Sequence, residues 1–261
     1  MFFLALGGTQ FNNVFALSIA LGTFAPTISA FIVTYIEEKS DGVIDLFKRG
    51  VQCRKKSYLI LSIILIPGLC FLSLLLAIVT EGRVPSEIGT LTAWENNIPL
   101  VISTFFLGGP LQEEFGWRGF VLDRLQKKYS ALKSSLIVGI IWGFWHLPFF
   151  FLTGAYQYEE PFYSFLTSVM LVSVLFSWLY NNTNGSVLVA MILHTSFNVS
   201  YWIIPINYTV MGPIYYRIML GIIFIVLLFV YGPKHLTREE KRKQKKAYHV
   251  QKYHTKIISS N

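Results

Sequence analysis

Residues 108–120 read Gly108-Gly109-Pro110-Leu111-Gln112-Glu113-Glu114-Phe115-Gly116-Trp117-Arg118-Gly119-Phe120. The stretch sits inside an apolar run, yet it carries adjacent glutamates and an arginine four residues after the second. Gly108, Gly109 and Pro110 interrupt the run. Proline is tolerated in the first turn of a helix, so the expected reading is a break and a fresh helix from near Pro110 to about Lys128. The glutamates then fall in that first turn, where the positive end of the helix dipole favours carboxylates. Ionisable side chains at bilayer depth are costly, and they usually face a bundle interior or a wet cavity and mark function.

Composition supports a membrane setting. The 261 residues are 53% hydrophobic, 16% aromatic and only 14% charged, against roughly 25% charged in soluble domains. Mean hydropathy is +0.51. The net charge of +8 does not indicate a nucleic-acid partner, because the basic residues cluster beside apolar spans and in the tail. Cys70 lies in an apolar span and Cys53 in a loop, so no structural disulfide is expected. The start of the chain lacks the basic region of a cleavable signal peptide, and its apolar residues Phe2, Phe3, Leu4 and Leu6 are too few to span alone.

A span needs about 20 mostly apolar residues. Such runs fall at 14–36, 57–79, 98–124, 134–152, 162–180, 185–204 and 212–231. The fold expected is all-α, a polytopic membrane bundle of about seven to eight helices, since helices pair every backbone group within the segment. Three regions follow: a short apolar segment at 1–13, a membrane domain at 14–231 with its polar motifs at 108–204, and a basic tail at 232–261. Pro26 is expected to kink the first helix.

Lys39, Lys48, Arg49, Arg54, Lys55 and Lys56 lie between the first two spans, and Arg124, Lys127, Lys128 and Lys133 follow the third. The tail adds Lys234, Arg238, Lys241, Arg242, Lys243, Lys245, Lys246, Lys252 and Lys256. Of basic residues the intervening loops hold only Arg83, and the loop at 153–161 has none, only Glu159 and Glu160. Alternate loops are therefore basic, which predicts a cytoplasmic C-terminus and a cytoplasmic loop at 37–56. The expected location is the plasma membrane of a prokaryote.

Two later spans each bring a histidine: His146 in Trp142-Gly143-Phe144-Trp145-His146-Leu147-Pro148, and His194 in His194-Thr195-Ser196-Phe197-Asn198. At 1.5 Å per residue, Glu113, His146 and His194 lie about 16, 18 and 13 Å from the cytoplasmic face. All three stand near the middle of a ~30 Å core. Such convergence suggests one shared polar site.

Each group also has a purely structural reading. Glu114 and Arg118 are spaced i, i+4 and can form a buried ion pair. Glu113 points about 100° away around the helix, so it needs another partner and is the better candidate for chemistry. Low dielectric is a common means of making a carboxylate basic enough to take a proton from water; the alternative is a protonated glutamate on a carbonyl. His146 can pack on Trp142 as a core histidine. His194 and Asn198 share one helix face, suited either to an oxyanion hole or to interhelical hydrogen bonds. The aromatic stripe Trp142, Phe144, Trp145, Phe149, Phe150 and Phe151 is read mostly as packing or lipid-facing material.

Taken together, Glu-Glu-x-x-x-Arg at 113–118, aromatic-x-x-x-His at 142–146 and His-x-x-x-Asn at 194–198 resemble the CPBP family of CAAX prenyl endopeptidases and bacteriocin-processing or immunity proteins, also called the Abi family. The resemblance implies an intramembrane endopeptidase. In its glutamate-dependent scheme Glu113 and His146 activate water, while His194 and Asn198 stabilise the oxyanion; Glu114, Arg118 and Trp142 support them. No cofactor is required in that scheme. The alternative is a zinc protease with Glu113, Glu114, His146 and His194 as Zn2+ ligands, although no His-Glu-x-x-His occurs. The implied partners are the lipid bilayer and a membrane-associated peptide or protein, prenylated or a bacteriocin precursor. A non-proteolytic self-immunity factor and a proton-coupled transporter are the other readings. Against transport, the spans show no inverted repeat and no second broken helix.

Overall fold

The structure, a computed structural model, describes residues 22–53, 55–152 and 155–238. The expected segment at 1–13 and most of the basic tail lie outside the described residues. Helix α1 (Ala25–Val51) leads to α2 (Lys56–Glu81), a 3-10 turn (Ser86–Thr92) and α3 (Trp94–Leu107). Then come α4 (Pro110–Glu114), a π-wound segment (Phe115–Leu122) and α5 (Asp123–Gln126), followed by α6 (Ala131–Trp145), α7 (Phe162–Asn182), α8 (Val187–Ile203) and α9 (Gly212–Tyr231). No strand occurs among the described residues, and the chain is an all-α membrane bundle.

Among the described residues, five helical stretches are long and apolar enough to cross a membrane: Lys56–Glu81, Ala131–Phe151, Phe162–Asn182, Val187–Tyr208 and Gly212–Tyr231. The expectation of seven to eight spans differs at two places. The first expected span begins before the described residues, and the third is divided into α3 and the helix from Pro110, each too short alone. The division falls at Gly108-Gly109. Gly109 has φ +109°, a conformation that side chains other than glycine rarely adopt. Its N–H donates to Gln112 Oε1 at 2.7 Å, so a side chain one turn on caps the new helix.

The region expected as a loop at 37–56 is instead helical through Val51. A break at Lys39 (φ 58°, ψ −154°) re-aims the helix there. Arg124 holds this bend, pairing with Glu37 at 2.9 Å and Glu38 at 2.8 Å. These charges are carried on a helix because they can leave the core at its end and pair there. Near Pro26 the winding is interrupted at Phe24, and the proline occupies the first turn of α1.

Helices α7 and α8 form the centre, with α6 packed along α7 and α2 and α9 on the outside. Small residues allow the α6–α7 approach: Gly139 faces Ser173 and the backbone of Met170. Helix α1 covers the π segment, where Gly116 lies against Pro26 with no room for a larger residue. The basic residues of the expected cytoplasmic loops meet at one end. Arg49 donates to Tyr180 Oη at 2.7 Å and lies 3.5 Å from Asp123. At the other end, Arg217 lies 3.4 Å from Glu160.

Candidate active site

The helix that starts at Pro110 places both glutamates in the interior. Glu113 and Glu114 are buried, as are Gln112 and Arg118. Glu113 Oε2 accepts two indole N–H bonds, from Trp142 at 2.8 Å and from Trp117 at 3.2 Å. These donors fix the carboxylate's rotation. Its other oxygen, Oε1, is turned toward Gly109: a β-carbon placed on that glycine would stand 3.1 Å from Oε1 and 3.5 Å from His194 Nε2. One spot beside Gly109 is therefore within reach of both Glu113 and His194, and it is open only because residue 109 has no side chain.

Glu114 follows a different route. Its Oε1 receives Arg118 Nη1 at 2.7 Å, the i, i+4 pair anticipated from spacing. The same oxygen receives His194 Nδ1 at 2.9 Å, a contact across 80 residues of sequence. Glu114 Oε2 is buried with no hydrogen-bond partner among the described residues. Arg118 lies over Phe176 at 3.9 Å and Trp142 at 4.5 Å, and its Nη2 reaches Ser173 Oγ at 3.5 Å. A guanidinium stripped of water keeps favourable electrostatics by stacking on ring faces.

Trp142 joins the expected groups. Its indole N–H holds Glu113, and its ring meets His146 at 5.8 Å and His194 at 5.2 Å. It is 2% exposed, so within the aromatic stripe Trp142 belongs to the interior, whereas Phe144 and Phe151 are exposed. His146 ends α6. Its Nδ1 lies 2.8 Å from the Trp142 carbonyl, and a carbonyl only accepts, so Nδ1 carries the proton. The same logic puts a proton on His194 Nδ1 facing the Glu114 carboxylate. Asn198 donates to the Gly108 carbonyl at 2.9 Å, tying α8 to the helix break.

The structure thus brings Glu113 and His194 to one spot, sets the His146 ring against the same Trp142 indole that His194 meets, and places Asn198 on the break itself. Trp117 and Gly109 were not among the expected site residues. Trp117 is four residues after Glu113, so the spacing that pairs Glu114 with Arg118 was the available signal for it. Gly109 gave no such signal beyond breaking the helix.

A catalytic zinc takes three protein ligands and leaves one position open. Here, among the described residues, His146 and His194 each have Nδ1 engaged and Nε2 free, as a ligating histidine would, whereas Glu113 Oε2 holds two indoles and Glu114 Oε1 is shared by Arg118 and His194. Among the described residues no three His, Cys, Asp or Glu side chains gather so as to hold a metal ion.

Residues 95–200 match the family described as type II CAAX prenyl endopeptidase Rce1-like, a range that contains all three motifs. The chain is also 25% identical over 208 residues to "CAAX prenyl protease 2" of Methanococcus maripaludis, covering 76% of each chain. The chain is thus an all-helical integral membrane protein with Glu113, Glu114, Arg118 and His194 in its interior, and over residues 95–200 it is similar to the type II CAAX prenyl endopeptidases.

Proposed function

We propose that this protein is an intramembrane endopeptidase in which Glu113 activates water at the spot beside Gly109. The observation that carries this reading is the division of labour on one carboxylate: Oε2 is held by two indoles, while Oε1 is turned to a place that His194 Nε2 also reaches.

Water at that spot gives a proton to Glu113 as its oxygen attacks the scissile carbonyl carbon. His146, against the Trp142 ring, completes the polar wall and offers Nε2 as an acceptor. The carbonyl oxygen becomes an oxyanion, assigned to His194 and Asn198. With Nδ1–H given to Glu114, His194 offers an Nε2–H only as imidazolium; the Glu114 carboxylate at 2.9 Å is the counter-charge for that form. Collapse breaks the C–N bond, and Glu113 returns its proton to the leaving amine. The products are a carboxylic acid and an amine.

The substrate class is a membrane-associated or lipidated peptide or protein. The relative's name, CAAX prenyl protease 2, supports a prenylated C-terminal segment; a bacteriocin precursor is the other peptide of this class. The same name, with Glu113, His146, His194 and Asn198 all present, favours hydrolysis over a proton-coupled transporter or a sequestering immunity factor. The setting proposed is a prokaryotic plasma membrane with the basic end, and so the C-terminus, in the cytoplasm.

Purified chain in proteoliposomes should cleave a farnesylated peptide, with the cut located by mass spectrometry. No metal takes part in the proposed reaction, so turnover should survive exhaustive chelation with a metal content well below one per chain. Activity lost on chelation and restored by zinc would replace the water-activation scheme while leaving the protease assignment intact. No cleavage of any lipidated or unlipidated peptide would remove the assignment itself.

A further inference from the structure

A second polar site lies at the basic end of the bundle, at the far end of the helix that starts at Pro110. A cavity of about 810 Å³ opens between the end of α1, the end of α5, the end of α7 and the turn after α9. Arg49 is at its floor, anchored by Tyr180 Oη at 2.7 Å and Asp45 at 3.0 Å. One wall is cross-braced: Asn181 and Gln126 exchange two side-chain hydrogen bonds of 2.7 and 3.1 Å, and Asn181 also donates to the His235 carbonyl at 2.9 Å. The walls are thus built from three separate parts of the chain and held together.

The charges in this cavity do not balance. Its acids are already engaged: Asp45 with Arg49, and Asp123 with Arg49, Arg124, Lys127 and the Tyr180 hydroxyl. Lys128 and Lys234 also line it, and neither has an acidic partner among the described residues. The cavity therefore presents excess positive charge and the ligand it suits is an anion.

Aromatic and basic residues also pair at the same end. Arg238 stands over Tyr231 at 5.3 Å, and Lys55 stands over Tyr58 at 5.8 Å. Trp and Tyr concentrate at the headgroup level of membranes, with Lys and Arg beside them. An anion at that depth, next to helices that cross lipid, has the chemistry of a phospholipid phosphate. We propose that this cavity binds the headgroup of an anionic phospholipid, with Lys128 and Lys234 on its phosphate. The assignment is independent of the protease reading and of which side of the membrane the basic end faces.

The test uses the full chain purified in detergent, with phosphatidylglycerol and phosphatidylcholine as probes and lipid retention read by native mass spectrometry. Phosphatidylglycerol should be retained preferentially. The pair Lys128→Ala with Lys234→Ala should lower that retention about tenfold or more, given the usual contribution of a basic residue near an anionic surface. The pair Lys128→Arg with Lys234→Arg should restore it. Lys133→Ala is the control: Lys133 belongs to the same end but stands over the Tyr129 ring at 4.4 Å, outside the cavity lining. Equal retention of the two lipids would overturn the proposal. So would equal loss in the Lys133 control, which would mean diffuse surface charge. Displacement by millimolar inorganic phosphate would overturn the lipid source and make the cavity a site for a soluble anion. Lys128 and Lys234 are exposed and carry no ion pair among the described residues, so unchanged thermal unfolding of the alanine pair should accompany the loss.

Discussion

Helices α2 and α9 are the two most apolar spans, yet only 28% and 17% of their apolar stretches are buried by protein. The spans of α7 and α8 are less apolar and are 61% and 56% buried. The most apolar spans are thus the outermost, the reverse of a soluble protein, in which the most apolar helix is the innermost. Lipid supplies no hydrophobic drive to bring apolar helices together, so the interior is where small and polar side chains find partners. Ser168, Ser173, Ser177 and Asn182 of α7 and His194, Thr195 and Ser200 of α8 are all buried. The centre of this bundle is organised by polar contact, and its edge by contact with lipid.

If the contrast is correct, single substitutions should divide sharply by helix. The largest effect is expected at Glu113. Replacement by Gln keeps the size and an acceptor for the indoles but removes the proton acceptor, so cleavage should fall by about 10²–10⁴-fold with the protein still folded. Full turnover in purified Glu113→Gln would leave the polar centre without its assigned chemistry.

Arg118→Ala comes next. It leaves the Glu114 carboxylate buried without its strongest partner, a change that typically costs about 3–5 kcal/mol. Thermal unfolding in detergent should drop accordingly, and a stability within experimental scatter of the parent would show that the ion pair is dispensable. His194→Ala and Asn198→Ala remove the assigned oxyanion donors; each should lower kcat about 10²-fold or more with little change in KM. A rise in KM at constant kcat would instead make them ground-state binding groups.

Trp117→Phe keeps a ring but removes one of the two N–H groups on Glu113 Oε2. Turnover should decline by about tenfold, a loss consistent with one net hydrogen bond to a charged group. The smallest effect is expected on the outer face of α9. Ile222 is 55% exposed to the surroundings of the bundle, whereas Leu220 on the same helix is 2% exposed. Ile222→Ala should alter stability by no more than about 0.5 kcal/mol, and Leu220→Ala by about 2–5 kcal/mol. Similar losses at both positions would mean that the outer face has a protein partner and would blur the contrast.

Much of this arrangement was legible before any coordinates. Gly108-Gly109-Pro110 announced a helix break because glycine relaxes the backbone and proline lacks a donor. Glu114 and Arg118 announced a pair, and Trp142 and His146 a contact, because residues four apart share a helix face. Twenty-residue apolar runs announced the spans. What the tertiary structure alone decided are contacts between helices: His194 on Glu114, Trp142 on Glu113, Asn198 on Gly108, and the polar cavity at the basic end. It also decided that the charged stretch after the first span stays helical to Val51, since its carboxylates find Arg124 on another element. The physical reason is the range of each constraint. Periodicity and backbone chemistry act within one helix and are written in spacing, whereas the partner of a buried side chain depends on how deep each helix sits and how it crosses its neighbours, which no single segment encodes.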